Sequence, residues 1–488
     1  MALFTKKPKN REGVNFELDE DALDMPDFEQ EGTVTENEDG SVDISVEEML
    51  EEVEQLAEEH YENLSPFIDE EDLDQIAEQV IEAYEADKTS RDDWDQDVVD
   101  GLENLGVDPE EFNEPFEGAC SAVHPIIIES AVKFQAKAAA ELFPSNGPVK
   151  TQVLGNKTEE KENQSRRIKD HMNYQLTCQM EEYFPDTERM LFYLPLIGSS
   201  FKKVSYDHHY ERPSAEFIPC DQFYVSNTAV DLRKADRYTH VIYKSENDLR
   251  RDVVAEIYED VDIGPPSQPE LSKIAIKQRE ILGLSYGATE YDEVYTLLEQ
   301  HTELDLPGEL GDENGVALPY IVTVDLESRK VLSIRRNWKP EDPKKHKRVW
   351  FVHYSFVPGF GFYGMGYIQL LGNFQMTLTT TMRSLVDSGQ FANLQGGFKT
   401  KGIRVLGDNE PISPGEWRDV EATGVDLSKA LYPLPYKEPS IVLFKMLEFL
   451  EARGQKFADT TEQVIADSTN YGPVGTTLAL DRDWETIQ

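Results

Sequence analysis

The sequence predicts an α+β fold, and three observations carry that prediction. Helix-spaced apolar runs near the ends bracket a middle made of short, alternating β-like runs. Gly/Pro turns punctuate those β-like runs throughout. Two long helical runs near the C-terminus flank a separate segment of short β-like pieces, so the architecture has more than one part.

Residues 1–90 hold 30 acidic and 5 basic side chains. Through residue 43 there is little apolar periodicity, and such a charge excess predicts a segment that stays out of a core. From Val46 to Ala86 the pattern becomes helical, with Met49, Leu50, Val53 and Leu56, then Leu73, Ile76, Ala77, Val80, Ile81 and Tyr84 on one side. The sequence places the start of the folded body near Trp94. Helices are expected over Pro125–Phe143, Glu159–Met180 and Pro185–Leu196, the first stopped by the Pro144–Pro148 turn. Strands follow at 201–206, 215–218, 222–226 and 238–243, helices at 246–258 and 270–282, and strands at 290–298, 319–325, 330–336 and 348–356. A helix from Gly366 to Phe391 carries Ile368, Leu371, Leu378, Met382, Leu385 and Val386 on one side. Short strand-like pieces lie between Gly396 and Tyr436, and a second long helix runs over Ser440–Ile465.

Composition removes several classes of function. The 488 residues carry 95 acidic against 47 basic side chains, a formal charge of −48, which disfavours a protein that grips nucleic acid through a broad basic footprint. A protein that surrounds DNA and lets it slide remains allowed. No apolar run is long enough for a membrane span and the N-terminal residues lack a signal-peptide core, so synthesis inside a cell and no membrane partner are expected. Cys120, Cys178 and Cys220 have no partner at metal-ligand spacing and read as buried thiols. His208 and His209 point in opposite directions on extended chain, so no metal site is expected there. There is no nucleophile elbow, phosphate loop or zinc-protease motif, and no catalytic residue, metal or cofactor is assigned.

Gly359-Phe-Gly361-Phe-Tyr-Gly364 has the letter pattern of a dinucleotide loop. Phe360, Phe362, Tyr363 and Pro358 crowd it, and nothing around it reads as a small βαβ unit. The sequence therefore reads it as an aromatic-packed turn that launches a helix, and ranks an NAD-dependent enzyme last.

Several strings, taken in order, give the chain a resemblance. They are Phe116-Glu-Gly-Ala119 with His124-Pro125; Glu141-Leu-Phe-Pro144 with Gly147-Pro-Val-Lys150; Gly198-Ser-Ser-Phe-Lys-Lys203; Ile218-Pro-Cys-Asp-Gln-Phe223; Leu318-Pro-Tyr-Ile-Val-Thr-Val324; Arg336-Asn-Trp338; Phe362-Tyr-Gly364; and Gly472-Pro-Val-Gly-Thr-Thr477. Over roughly residues 90–480 the chain resembles the portal proteins, or head-to-tail connectors, of short-tailed bacteriophages. The resemblance implies a mixed α/β wing at 91–365, stem helices at 366–395 and 437–467, and a small β clip at 396–436. It places a DNA-facing tunnel loop at 468–477, specifically Ser468, Thr469, Asn470, Tyr471, Gly472, Pro473, Val474, Gly475 and Thr476. Only Leu478–Gln488 follows, reading as the cut-short start of another helix, so the family's crown has no counterpart and counts as missing; residues 1–90 lie outside the resemblance.

The function it implies is a non-enzymatic ring of twelve subunits at one capsid vertex. Double-stranded DNA would pass through that ring, without sequence specificity, during packaging and ejection. The implied partners are the terminase large subunit, the major capsid and scaffolding proteins, and tail or adaptor proteins, with the virion as location. A different ring-forming virion component, a head-to-tail adaptor or an internal core protein, is the second reading.

Overall fold

The computed structural model describes residues 60–105, 119–153, 155–207, 210, 212–284, 293–306, 310–311, 315–393 and 438–468. It also gives the backbone of six short strands outside those spans, and side chains as far as residue 458. Two of those strands, β1 (Val34–Glu36) and β2 (Val42–Ile44), pair with each other near the N-terminus.

The largest sheet is a five-stranded antiparallel meander in chain order: β5 (Phe223–Val225), β6 (Tyr238–Lys244), β7 (Tyr295–Leu304), β8 (Leu318–Asp325) and β9 (Val331–Arg336). A period of two divides its faces. Leu298, Tyr320, Val322, Val324 and Ile334 point to a core closed by helix α1 (Glu70–Ser90), which supplies Ile76, Ala77, Val80, Ile81 and Tyr84. These are the residues whose helical spacing the sequence shows, so the stripe is core. Core packing consequently occurs well ahead of Trp94, from Leu64 onward among the described residues. Sequence misjudged this because ten acidic residues between 60 and 90 mask the apolar face. On the opposite face, Leu297 and Leu332 pack with Leu249 of helix α6 (Glu246–Val254) and Tyr258.

A second antiparallel sheet orders β10 (Phe351–Ser355), β3 (Ser199–Asp207) and β4 (Arg212–Ile218). It joins the main core with helices α2 (Asp92–Glu103), α3 (Ile126–Leu142), α5 (Tyr183–Ile197) and the start of α8 (Tyr367–Asn393). The remaining described helices are α4 (Glu159–Tyr174), which has no buried side chain, α7 (Lys273–Ile281) and α9 (Ile441–Ser468).

Element boundaries depart from expectation in two instructive places, and thiol burial in a third respect. The helix expected to run to Tyr258 stops at Val254, because Glu256 adopts a left-handed backbone with φ of 57°. The helix expected over 159–180 gives way to a π-helical turn, Gln175–Gln179. Of the three thiols only Cys220 is buried; Cys178 is exposed, because it lies in that turn beyond the solvated α4, and Cys120 is half-buried. His208, His209 and the expected strand start at 290–292 lie outside the described residues.

Candidate functional site

The pair of long helices, with what they carry, is the feature that distinguishes this molecule from an ordinary two-sheet body. Helix α8 begins where two backbones meet. Gly198 has φ of +104°, a conformation other residues resist, and a Cβ on it would fall 2.5 Å from Gly364 O and Gly366 N. A Cβ on Gly364 would sit 2.4 Å from Ser355 Oγ and 2.5 Å from Gly198 O. The contact is locked by the Gly364 amide donating to Ser199 Oγ at 2.8 Å and the Phe356 amide to Gly198 O at 2.9 Å. Gly359 and Gly361 are similarly crowded, by Tyr363 O and by Asn227. The glycines of this loop therefore seat protein against protein, and leave no cradle for a pyrophosphate. Phe362 and Tyr363 are buried, as an aromatic-packed turn requires, but Phe360 is fully exposed and takes no part in that packing.

Tyr363 reaches a hub around Arg91. That guanidinium is fully buried and donates to Cys220 O at 2.7 Å, Phe223 O at 2.9 Å and the Tyr363 hydroxyl at 3.2 Å. Its Nε donates to Asp95 Oδ2 at 3.2 Å, and its plane lies 3.9 Å over the Tyr224 ring. One side chain thus ties the α1–α2 junction, the entry to the large sheet and the launch of α8. Burial pushes the Cys220 thiol up, which makes it a poor nucleophile.

A second buried cluster joins the two sheets. Lys203 of β3 donates to both oxygens of Glu299 on β7 at 2.7 Å, and His301 Nε2 lies 3.2 Å from Glu299. Despite burial, the Lys203 ammonium and His301 hold Glu299 well below the usual carboxylate range. Burial and Lys203 push His240, next to it, down to about 3. Both clusters are buried and join elements remote in sequence, so they read as structural joints.

Along α8, the buried residues of the predicted apolar side, Ile368, Leu371 and Leu378, face the body, while Val386 is exposed. Sequence reading missed a second row. Gln375, Thr379, Arg383 and Asp387 stand four apart, on one stripe. Gln375 Oε1 accepts from the Ile127 amide, Thr379 Oγ1 from His124 N, and Asp387 Oδ1 from Cys120 N, while Arg383 donates to Ala122 O. The row pins chain 120–127 along the helix, and its i, i+4 spacing was visible in the sequence. No described residue of α8 beyond Thr381 is buried.

Helix α9 returns beside α8, with Gly389 meeting Pro439 at its start and Gly454 receiving the Ile126 side chain further along. Leu447, Leu450 and Ala458 face the body. A different face presents Val442, Met446, Phe449 and Phe457 at 75%, 46%, 59% and 42% exposure, with Arg453 lying 5.4 Å from the Phe449 ring. Between the helices, β11 (Gly397–Lys399) pairs with β14 (Leu431–Pro433), and β12 (Ile403–Val405) with β13 (Val420–Ala422), one ladder nested inside the other. Among the described residues, these four strands pair only among themselves. Of the predicted loop residues, Ser468 is the last of α9, and Thr469 to Thr476 lie outside the described residues.

The described residues thus form a helix pair with short paired strands between them, mounted on a mixed α/β body. Residues 134–457, about two thirds of the chain, match the family described as the phage SU10 portal protein. The chain belongs to this family: it is a bacteriophage portal protein of the short-tailed type, a structural virion component. The matched span runs from α3 through both sheets, α8 and the nested strands into α9. No curated protein matches the chain. Among the described residues no helix is long and apolar enough to cross a membrane.

Proposed function

We propose that this chain is one subunit of a closed ring of about twelve at a capsid vertex, through which double-stranded DNA enters and leaves. In this reading residues 91–365 form the wing, α8 and α9 the stem, and the nested strands the clip. Terminase and then tail or adaptor proteins dock on the ring, and the capsid and scaffolding proteins surround it.

The single observation that supports the reading best is the second apolar face of α9. Three large apolar side chains in helical register, Val442, Met446 and Phe449, stand exposed although the helix already buries another face, and burying each fully is worth about 1.5–3 kcal/mol. A helix with two apolar faces needs two neighbours. Within the chain it has the body; in a heterologous ring it would have the next copy. A net charge of −48 also suits a channel that conducts DNA, since an acidic lining does not release counterions or hold phosphates.

Negative-stain electron microscopy of the purified protein tests this. Rings of uniform subunit count are expected, and Phe449→Glu is expected to yield folded monomers with unchanged far-ultraviolet dichroism. Rings that survive Phe449→Glu together with Val442→Glu would remove α9 from the interface.

A further inference from the structure

The most basic stretch of this very acidic chain lies where its most acidic stretch begins. Between residues 335 and 348 seven lysines and arginines face two acids, the reverse of the chain's overall balance. Lys339, Lys344 and His346 are exposed on the loop after β9, with Lys345 and Arg348 half-buried beside them. Lys345 Nζ lies 5.8 Å over the Trp338 ring. Of the two acids, Asp342 is turned back on its own loop, accepting from the Lys344 and His346 amides at 3.0 and 2.9 Å and meeting His346 Nδ1 at 2.7 Å. Glu341 is exposed, and Asp231 and Asp236 lie near Lys347 at the far side of the patch.

The described body starts on this patch. His60 Nε2 is 3.2 Å from Trp338 O, and Tyr61 donates to the same oxygen at 3.1 Å. Arg336 donates to His60 O at 3.1 Å, and Arg348 to the Tyr61 hydroxyl at 2.9 Å. The chain is therefore clamped among these cations at the point from which residues 12–59 lead away. That segment carries 20 acidic residues and not one lysine, arginine or histidine.

We propose that residues 12–59 dock on the basic loop of their own chain around Lys339 and Lys344, and shield it from other polyanions. Two facts select this occupant over a foreign one. Its charge is complementary to the patch, and its attachment at His60 makes the encounter intramolecular, at an effective concentration of order millimolar. Glu51 to Glu59 lie within about 30 Å of chain of the patch, even when fully extended. Left uncovered, a compact group of lysines and arginines binds phosphodiester backbones without sequence preference. A shield of this kind would keep one face of an otherwise acidic protein from sticking to nucleic acid, whether or not the chain forms a ring.

Zero-length carbodiimide crosslinking of the full chain, prepared from equal parts nitrogen-15-labelled and unlabelled copies, tests the contact. Expected are crosslinks from Asp or Glu in 12–59 to Lys339 or Lys344 that join like-labelled peptides and disappear in about 0.5 M salt. Crosslinks joining mixed labels would assign the segment to a neighbouring copy, and crosslinks elsewhere would assign it another surface; either overturns the proposal. The second arm replaces Glu51, Glu52, Glu54, Glu58 and Glu59 with Gln in the full chain, and measures retention of a short random-sequence DNA duplex at low salt. A gain of about tenfold is expected, reversed by adding Lys339→Glu and Lys344→Glu. An unchanged affinity would show that the segment shields nothing.

Discussion

Arg91 is wholly buried, and a buried guanidinium is tolerable only when its donors are used and its charge is answered. Here two carbonyls, a phenol, a carboxylate and an aromatic face answer most of it, while Nη2 and Asp95 Oδ1 have no hydrogen-bond partner among the described residues. Arg91→Ala leaves Asp95 buried without its cation and takes one donor each from Cys220 O, Phe223 O and the Tyr363 hydroxyl, and should lower stability by about 3–5 kcal/mol in urea unfolding; a loss under about 1 kcal/mol would mean water replaces the guanidinium. His240 gives a pH-dependent counterpart. Its pKa falls from 6.5 to about 3 on folding, so the unfolded chain binds the extra proton. Stability from this residue is therefore complete above pH 6.5 and lost as pH falls toward 3. His240→Phe, which sacrifices no hydrogen bond at Nδ1, should reduce the destabilisation between pH 7.5 and 5 by about 2 kcal/mol. Parallel unfolding curves at the two pH values for both proteins decide it: an equal loss in each means His240 is not the acid-sensitive group.

At the scale of elements, the approach of residues 196–199 to 364–366 fixes where α8 leaves the body. Gly364→Ala places a methyl against Ser355 Oγ and Gly198 O, and overpacking of this kind costs about 1–3 kcal/mol. The variant should melt several degrees lower and assemble fewer rings; a wild-type melting temperature would mean the two backbones separate freely. The same elements show what sequence could reveal. Helices α3, α5, α8 and α9 and most strands fall where periodicity and Gly/Pro turns put them, because their burial follows one face. That short strands lie between α8 and α9 was equally legible, from the glycines and prolines of that stretch. What stayed hidden depends on partners remote in sequence. Arg91 looks like a surface charge until chain 129 positions away meets it, and the Lys203–Glu299 pair until strands 96 positions apart meet. Helix α1 was readable as a helix but not as core, since its acidic face dominates its composition.

For the whole molecule, the question is what the segment after α9 does. The helix comes back to the body at Gly454 and Ala458, both against the main core, and then runs ten residues further to Ser468, about 15 Å of helix. The segment Thr469–Thr476 thus starts at the end of a rigid rod that the body anchors. If the second face of α9 packs on a neighbouring copy, every copy's rod is held at the same height, and the loops after Ser468 form a ring of their own. Their composition suits adjustment: Gly472 and Gly475 permit backbone states that other residues resist, while Pro473 fixes the φ between them. The proposal is that this loop faces DNA and shifts as DNA advances. Gly472→Ala with Gly475→Ala should leave ring assembly and melting temperature unchanged if the loop's demand is on DNA alone. Packaged DNA per particle should fall severalfold in the same variant. Wild-type packaging would show that the loop makes no demand on DNA, and loss of the ring itself would make it a structural turn between helices.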